Sequence, residues 1–599
     1  MHYRLKVWAA FVVLMGLVAS GQAWAEFRPK VTLGGGHIAI NGQIAIRFQA
    51  PNGRLSAAER ATITEGRLRQ LVANGVSPYS FSFVATKQSA KLYAGPTMLC
   101  VVTKRDAQIA RTTPAGLAQS WVTRIRTLLL MPAIALSDRI ITVPLGESRR
   151  VMVSGAAEGP IYTKSDNDSL ATAVSGLDGR YVQVVGKQLG QAIVDVSVEN
   201  EHAQITVYVK KYAGFVPGQI EAQVTGNPCP AQLISYAATQ AVMRSVVTEP
   251  GATVTIGGVD DGNKGVYSGS TKDVKVTVRI AGDGYITYGG QVSVRVRNSA
   301  MPADDVGQLF YSNNPERLLK YQTLFTGRLE PGLPTRVLYH HQNAMGKRAR
   351  FMVELINPNA TPGTFRIFKG ISDPLVDTVL VGYKATTSFM RGENANASVI
   401  EQVAPQSRLV LVSDSLGNLE TSSGILQVTQ TDGQPAYVRV AALPPGLDDA
   451  PVGAVTPTQP VMSLDMSSHI YPKPVKTLDT EYTVGQRWAF ISIGRHAIGS
   501  HDAQMKLDGN YGVTYNINVK VDNPTDRTKK VMVIFDPTAG LASGVFFING
   551  EMVAVKYAKP PAEISLASYQ VKPGETRNLK ITTVPVAGSN YPATLVVRS

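Results

Sequence analysis

An internal repeat in the second half of the chain constrains its fold more than any other sequence feature. Residues 351–358 and 517–524 both alternate apolar and polar side chains, and both end at Asn-Pro, a dipeptide that starts turns. A second motif recurs at almost the same offset, since Val403-Ala404-Pro405 is matched 168 residues later by Val571-Lys572-Pro573. The repeat predicts two related β-sandwiches, at residues 305–445 and 461–599.

The segment between the two repeats, residues 446–460, is predicted to be a linker. Five prolines lie between Leu443 and Pro460. Because proline fixes the backbone angle φ, we expect this linker to be stiffened.

The first 25 residues have the pattern of a secretory signal peptide. Arg4 and Lys6 precede an apolar run of about a dozen residues, and Ala23-Trp24-Ala25 supplies the small residues that signal peptidase accepts. We expect cleavage after Ala25 and export to the periplasm, the cell surface or the extracellular medium. Retention of the segment as an anchor is the alternative. No later apolar run reaches the length of a membrane span, so we expect no transmembrane segment in the mature chain.

Residues 26–137 predict a small basic ββαββα domain. Asn41-Gly42 between two alternating runs indicates a hairpin, Ser56 with Glu59 indicates the start of a helix, and Thr113-Pro114 indicates the start of a second helix. The segment resembles a small periplasmic α/β domain in the N-terminal part of mechanosensitive-channel-type and other bacterial envelope proteins. The matching residues are 55–61, Arg67-Leu68, Val102-Thr103, Asp106-Ala107, Leu117-Ala118, Trp121 and Ile125.

Residues 138–212 change to short strands divided by polar turns, which is typical of a β-sandwich. Residues 141–148, 165–174, 185–187 and 190–196 carry a resemblance to bacterial Ig-like domains and to the N-terminal domain of pilus and secretin assembly proteins. The resemblance implies a scaffold or adhesion module without implying a reaction.

Residues 213–304 predict a further small α/β domain, with a helix from Pro230 followed by alternating runs at 274–280 and 292–296. The last part of the second repeat, residues 509–550, resembles uncharacterised secreted bacterial proteins. The sequence therefore predicts a multi-domain, mainly β protein, in which small α/β domains and an Ig-like sandwich precede two related β-sandwiches.

The formal net charge of +15 is concentrated in the first domain. Residues 26–137 carry 14 Lys and Arg against Glu26, Glu59, Glu65 and Asp106, which leaves +10 for this segment and +3 for residues 138–599. We expect an anionic lipid or an acidic envelope polymer as a partner of residues 26–137, and no nucleic acid; an ordinary solvated basic face is the alternative.

The sequence contains weak candidates for metal-binding residues. His469, His496 and His501 could bind a transition metal only if the fold brought them together, and Asp260-Asp261 has the oxygen-rich composition of a calcium loop without the glutamate of an EF-hand. Structural histidines and ordinary turns are the alternatives, and we expect neither a metal nor another cofactor.

Two cysteines, Cys100 and Cys229, exclude a disulfide-dense scaffold. A disulfide between them and two separate thiols are both open at this stage. Phe310, Tyr311, Tyr321 and Phe325 raise the question of an aromatic platform, but aromatic residues are only 7% of the chain. After signal cleavage Trp121 and Trp488 remain, and we expect both to pack in cores.

No nucleophile elbow, phosphate loop or helical zinc-protease motif is present in the sequence. We therefore expect a non-enzymatic exported protein of the cell envelope or surface, which acts as a scaffold, adhesion or assembly module and is linked to pilus or secretion machinery. Its partners would be other envelope proteins or a cell-surface polymer. A glycan-binding protein, or an accessory of a carbohydrate-active enzyme, is the alternative.

Overall fold

The computed structural model describes residues 27–177, 179–458 and 466–599, so the predicted signal peptide lies outside the described residues. The chain forms two compact units. The first unit ends at Tyr212 and includes Gly284–Ile286, and the second contains Ala213–Asp283 and Thr287–Ser599. The protein is multi-domain and mainly β, as the sequence predicted.

The first domain has two small antiparallel sheets and three helices around one core. The predicted hairpin at Asn41-Gly42 and the capping box of Ser56 with Glu59 are present, and Pro114 begins the last helix. The short strand at Ser89–Ala94 was not predicted. The elements are β1 (Val31–Gly34), β2 (His37–Ile40), β3 (Gln43–Arg47), α1 (Ala57–Ala73), β4 (Phe81–Ala85), β5 (Ser89–Ala94), β6 (Thr97–Thr103), α2 (Lys104–Ile109) and α3 (Pro114–Leu129).

The second domain is a sandwich of two four-stranded sheets. One sheet consists of β7 (Ala135–Leu136), β9 (Ser148–Ser154), β12 (Tyr181–Gly186) and β11 (Ala171–Ser175). The other sheet consists of β8 (Ile140–Pro144), β10 (Ile161–Ser165), β13 (Gly190–Val198) and β14 (Glu201–Lys210). Alternate side chains of these strands, such as Val194, Val196, Ile205 and Val207, fill the core.

The second unit begins with a helix and long strands that do not form a separate domain. Its elements here are β15 (Gly214–Phe215), β16 (Ile220–Val224), α4 (Ala231–Ser245), β17 (Val247–Thr248), β18 (Thr253–Asp260), β19 (Thr271–Ala281) and β20 (Tyr288–Asn298). Strand β16 pairs with β20 on one side and with residues 399–400 of the first sandwich on the other. The predicted boundary at 304 and 305 therefore runs through one continuous sheet.

The first sandwich contributes several strands to that eleven-stranded sheet, and its second sheet has five strands. Its elements are β21 (Gln308–Ser312), β22 (Arg317–Leu318), β23 (Gln322–Arg328), β24 (Thr335–Asn343), β25 (Ala349–Asn357), β26 (Gly363–Ile371), α5 (Thr378–Asn394), β27 (Val399–Val403), β28 (Ser407–Leu416), β29 (Thr421–Asp432), β30 (Tyr437–Leu443) and β31 (Val455–Pro457). Helix α5 was not predicted from the sequence.

The predicted linker is part of this sandwich in its described portion, residues 446–458. Strand β31 pairs with β28, and Asp448 lies 2.5 Å from Arg408, whose guanidinium also contacts the buried Glu354. Ion pairing and strand pairing therefore attach these residues of the predicted linker to the sheet.

The second sandwich has a five-stranded and a four-stranded sheet. Its elements are β32 (Ile470–Pro472), which pairs with β21 of the large sheet, β33 (Val475–Thr483), β34 (Ala489–Ile493), β35 (Ile498–Gly499), β36 (Lys506–Leu507), β37 (Thr514–Asp522), β38 (Lys529–Asp536), β39 (Ala542–Ile548), β40 (Glu551–Ala558), β41 (Ile564–Val571), β42 (Thr576–Thr583) and β43 (Ala593–Arg598).

The repeated Asn-Pro motif has the same structure in both sandwiches. The Asn357 side-chain amide donates to the carbonyl oxygens of Thr361, Val403 and Ala404. The Asn523 amide donates to the corresponding carbonyls of Arg527, Val571 and Lys572. The two motifs found in the sequence therefore contact each other in each repeat, where one asparagine ties a strand end to a neighbouring strand.

Helix α5 joins the two sandwiches inside the second unit. It packs against β26 and β29 of the large sheet and against β39 and β40 of the second sandwich. A Cβ atom added at Gly382 would collide with the carbonyl oxygen of Ala587, so the helix and the second sandwich are in direct backbone contact there.

We expect Gly382→Ala to lower the free energy of unfolding of the second unit by about 1–3 kcal/mol, because the added methyl group has to displace backbone. The matched control is Gly392→Ala in the same helix, where the nearest atom lies 3.6 Å from the added Cβ. The control should be neutral or stabilising by up to about 1 kcal/mol, since alanine favours helix. Urea unfolding of both variants measures the difference, and equal midpoints would contradict the proposed backbone contact.

Candidate functional site

A cleft of about 580 Å³ lies in the second unit between helix α5, the segment before β21 and the second sandwich. Its lining combines carboxylates, amides, hydroxyls and a few apolar side chains. The lining residues are Ala303, Asp304, Asp305, Val306, Met390, Glu393, Asn394, Lys473, Val475, Thr477, Thr514, Asn516, Phe547 and Thr582.

Arg336 on β24 fixes one wall of this cleft. Its guanidinium is fully buried and donates to Glu393 Oε1 at 2.6 Å and to Gln427 Oε1 at 3.1 Å. It also donates to the Gly512 carbonyl at 2.9 Å and to Thr514 Oγ1 at 2.8 Å, both in the second sandwich. One arginine therefore connects the large sheet, helix α5 and the second sandwich.

Arg366 on β26 is a second fully buried arginine beneath the same cleft. It lies 3.2 Å from the Asp304 carboxylate and donates to Ser398 Oγ and Asn396 Oδ1. Thr429 Oγ1 donates to the other Asp304 oxygen at 2.9 Å. Buried arginines thus hold Asp304 and Glu393 in fixed positions at the cleft wall, which is the geometry that charge-assisted pairs favour.

The lining of the cleft carries three carboxylates and one lysine, Lys473. The positive charges of Arg336 and Arg366 face inward and are already paired. The cleft therefore offers acceptor oxygens to a ligand or partner that brings a cation or several hydroxyl groups.

A polar sheet surface continues from the cleft over β33, β37 and β42. Side chains from the three strands are aligned in rows, because residues paired across strands share a face. The row Asp479, Asn518 and Lys580 follows the row Thr477, Asn516 and Thr582 that lines the cleft. The Asn518 amide donates to Asp479 Oδ1 at 2.8 Å, so part of this surface is satisfied internally.

His340 and His341 are neighbours in β24, so their side chains point to opposite faces of the sheet, and both are fully buried. His340 Nδ1 is 2.9 Å from Ser423 Oγ, and its Nε2 is 3.9 Å from Glu316 Oε1. Burial lowers the pKa of His340 to about 3, so its ring is neutral at pH 7 and the Glu316 contact is not an ion pair. The order serine, histidine, glutamate resembles a catalytic triad, but the Ser423 side chain is enclosed and no substrate reaches it in this conformation.

The structure does not bring the three histidine candidates together as metal ligands. His469 Nδ1 contacts Ser468 Oγ, the backbone carbonyl of His496 accepts from Asn510, and the backbone amide of His501 donates to Ile470. Burial lowers the pKa of His469. Within the described ranges no group of three His, Cys, Asp or Glu side chains is placed to hold a metal ion.

Asp260 and Asp261 lie at the end of β18 in a turn. Asp261 accepts hydrogen bonds from the Ser235 hydroxyl and from the amide of Asn263, and the Ser235 bond lowers the pKa of this carboxyl group. These bonds are those of an Asx turn.

Cys100 and Cys229 are free thiols in the structure, and both are buried. Burial raises the pKa of each thiol to about 12, which makes both unreactive at neutral pH.

The two tryptophans differ in burial. Trp121 is 6% exposed in the core of the first domain, as expected, and packs edge-on against Phe48. Trp488 is 43% exposed, so the expectation that it packs in a core is wrong. The aromatic candidates Phe310 and Phe325 are fully buried against each other and form no platform.

Arg336, Arg366, Asp304 and Glu393 were missed by the sequence analysis. Their one sequence signal is an arginine inside an otherwise apolar strand, as in Phe365-Arg366-Ile367. Such an arginine is buried only if it finds a partner, and the partners are distant in sequence.

The class of protein that these observations define is a multi-domain, mainly β protein with an Ig-like sandwich and two related sandwiches. Residues 37–130 match the family model named Domain of unknown function (DUF8459). No curated protein matches the chain.

The chain has weak likenesses to solved structures. Domains 4 and 5 of the S-layer protein SbsC share 15% identity, covering 22% of this chain and 77% of that chain with a TM-score of 0.13. The adhesin InvE of Yersinia pseudotuberculosis shares 14% over 27% and 58%, with a TM-score of 0.11. Tandem Ig domains of titin share 12% over 28% and 99%, with a TM-score of 0.12. At these scores the likenesses carry no inference about function.

We expect Arg336→Met to lower the free energy of unfolding of the second unit by about 3–5 kcal/mol, because it leaves Glu393 without its buried partner. Arg295→Met, which removes an exposed pair with Asp273 in the same unit, is the control and should cost less than about 1 kcal/mol. Calorimetry of both variants measures the effect, and similar losses would contradict the role of Arg336.

Acid should destabilise the second unit through His340 and His341. The pKa values in the folded state are lowered to about 3 and about 4, whereas an unfolded histidine titrates near pH 6.5. The unfolded chain therefore binds more protons below pH 6.5, and stability falls as the pH decreases from 7 to 5, by about 2 kcal/mol for each histidine. Urea unfolding at each pH tests this. His340→Gln should reduce the slope, and a flat profile in the wild type would contradict this expectation.

Proposed function

We propose that this chain is a non-enzymatic exported protein of the bacterial cell envelope or surface that acts as a scaffold, adhesion or assembly module. The observation that carries the proposal is the joint formed by Arg336 and helix α5, which fixes the two sandwiches of the second unit to each other. A fixed joint suits a protein that positions partners. The link to pilus or secretion machinery rests on the sequence resemblance of residues 138–212.

The buried polar groups support a structural role. His340, His341 and Ser423 are enclosed, and the two cysteine thiols are buried. In the structure the polar atoms of His340 and His341 contact neighbouring protein groups. Within residues 27–177, 179–458 and 466–599, none of the helices combines the length and apolar character needed to cross a bilayer.

Photo-cross-linking in intact cells tests the scaffold role. A photoreactive residue at Asp305, in the cleft, should form adducts with envelope proteins, whereas the same residue at the exposed Leu447 should form few. Absence of any envelope adduct would contradict the proposal. N-terminal sequencing of the exported protein should begin at Glu26.

The surface of the first domain supports a partner of negative charge. Asp106 is buried and paired with the buried Arg60, and Glu65 is buried and paired with Arg69, so neither carboxylate is itself exposed at the surface. Among the described residues 27–137, Glu59 is the one exposed carboxylate. The exposed cations are Arg28, Lys30, Arg47, Arg54, Arg67, Arg69, Lys87, Lys91, Lys104, Arg105, Arg111 and Arg124.

We expect the protein to bind vesicles that contain phosphatidylglycerol, or acidic envelope polymer, at low salt and to lose at least tenfold in affinity when Lys87, Lys91, Lys104 and Arg105 are changed to Glu. Lys529→Glu with Lys530→Glu, two exposed positions of the second sandwich, is the control. Co-sedimentation at increasing salt measures binding, and equal loss in both variants would contradict a role of the first domain.

Glycan binding through the sandwiches is a second candidate function. The adjacent exposed rings of Trp488 and Phe490 support it, because aromatic rings combine a large apolar face with a polar edge on Trp and can stack on an apolar face of a ligand.

A further inference from the structure

The second sandwich carries an exposed aromatic pair at an edge of its four-stranded sheet. That sheet has the order β34, β43, β38, β41, so β34 is an edge strand. Phe490 lies within β34 and Trp488 directly precedes it, with 56% and 43% of their surfaces exposed. Their ring centroids are 6.3 Å apart and the ring planes are inclined by 41°.

The two rings lie on the outer face of the sheet. Side chains two residues apart in a strand point to the same side, and the intervening Ala489, like Ile491, belongs to the core. Phe490 pairs across the sheet with Val596, and Val596 pairs with Ile534. Val596 and Ile534 are themselves buried, at 1% and 3% exposure, so the exposed apolar surface at this place comes from the two rings.

Arg598 adds a polar group to the same face. Its guanidinium lies 4.3 Å from the indole centroid of Trp488. Glu563 accepts from the Arg598 Nη2 at 2.6 Å, which fixes the guanidinium in place. The indole of Trp488 is 43% exposed although the Arg598 guanidinium stacks against it. Arg598 supplies hydrogen-bond donors and Glu563 supplies acceptors at the border of the ring.

The size of the exposed apolar surface distinguishes a small ligand from a protein partner. An aromatic side chain has about 150–250 Å² of surface, so the exposed parts of the two rings amount to roughly 200 Å². A stable protein interface buries about 800 Å² on each partner. The pair is therefore suited to a ligand of a few rings, with apolar faces for stacking and hydroxyls for Arg598 and Glu563. A pyranose has both.

We propose that Trp488, Phe490 and Arg598 form a saccharide-binding platform on which neighbouring pyranose units of an oligosaccharide stack. The platform goes beyond the scaffold role and rests on the second candidate function, glycan binding. Arg598 and Glu563 bind hydroxyl groups at the border of the stacked sugars.

The test uses the whole chain from Glu26 onward, in which Trp121 and Trp488 are the two tryptophans. A glycan array identifies bound oligosaccharides, and titration with the best of them is followed by tryptophan fluorescence. Because Trp121 is buried, we expect the change in emission and the protection from acrylamide quenching to come from Trp488.

The variants distinguish a loss of ring stacking from a loss of folding. Trp488→Ala and Phe490→Ala should each weaken binding at least tenfold, Trp488→Phe should weaken it less, and Arg598→Met should reduce it severalfold. Tyr267→Ala, an exposed aromatic residue elsewhere in the second unit, is the matched control and should leave affinity unchanged. Unchanged melting temperatures show that the variants are folded.

Three outcomes would overturn the platform. Binding that survives in Trp488→Ala and Phe490→Ala overturns it and leaves glycan binding at another place. If no saccharide on the array binds, the platform and the glycan-binding function are both overturned. The scaffold role is tested separately by cross-linking in cells. A concentration-dependent dimer in sedimentation that is lost in Trp488→Ala identifies the rings as a contact between copies of the chain, which also overturns the platform.

Discussion

The guanidinium of Arg336 is the interaction on which the second unit depends most. It is fully buried, and its partners belong to β29, helix α5 and the second sandwich. A buried charge without partners is costly, so each of these elements has to be in place for the arginine to be tolerated. The same contacts hold Glu393 at the wall of the cleft. Arg336 therefore contributes both to the contact between the two sandwiches and to the shape of the cleft.

A second recurring device is the buried asparagine at a strand end. Asn357 and Asn523 each donate to three backbone carbonyls, which explains why the two sequence motifs meet in both repeats although they are 46 residues apart in one and 48 in the other. Asn343 makes an equivalent set of bonds to Lys347, Leu416 and Gly417 without a following proline. The asparagine amide donates to carbonyl oxygens that have no strand partner, and buried carbonyls need such a partner. The hydrogen-bond pattern is therefore the same at the three asparagines, although the surrounding side chains differ.

The molecule separates its surface chemistry by domain. The first domain presents many cations, because two of its carboxylates are buried in ion pairs. The cleft of the second unit presents carboxylates, because its arginines are buried beneath them. Trp488 and Phe490 give the outer face of the second sandwich an aromatic surface. The three surfaces therefore differ in charge and in apolar character.

The sequence by itself determined local structure. The capping box at Ser56, the Asn41-Gly42 hairpin, the apolar face of α4 and the Asn-Pro repeat all follow from residues close together in the chain. Only the tertiary structure decided that residues 213–304 share a sheet with the first sandwich, that Asp448 attaches the predicted linker, that Arg336 lies at a joint and that Trp488 is exposed. The buried ion pair of Arg336 joins residues 57 positions apart, and the strand pair of Gln223 with Ile400 joins residues 177 apart. Periodicity carries no information about which distant strand completes a sheet.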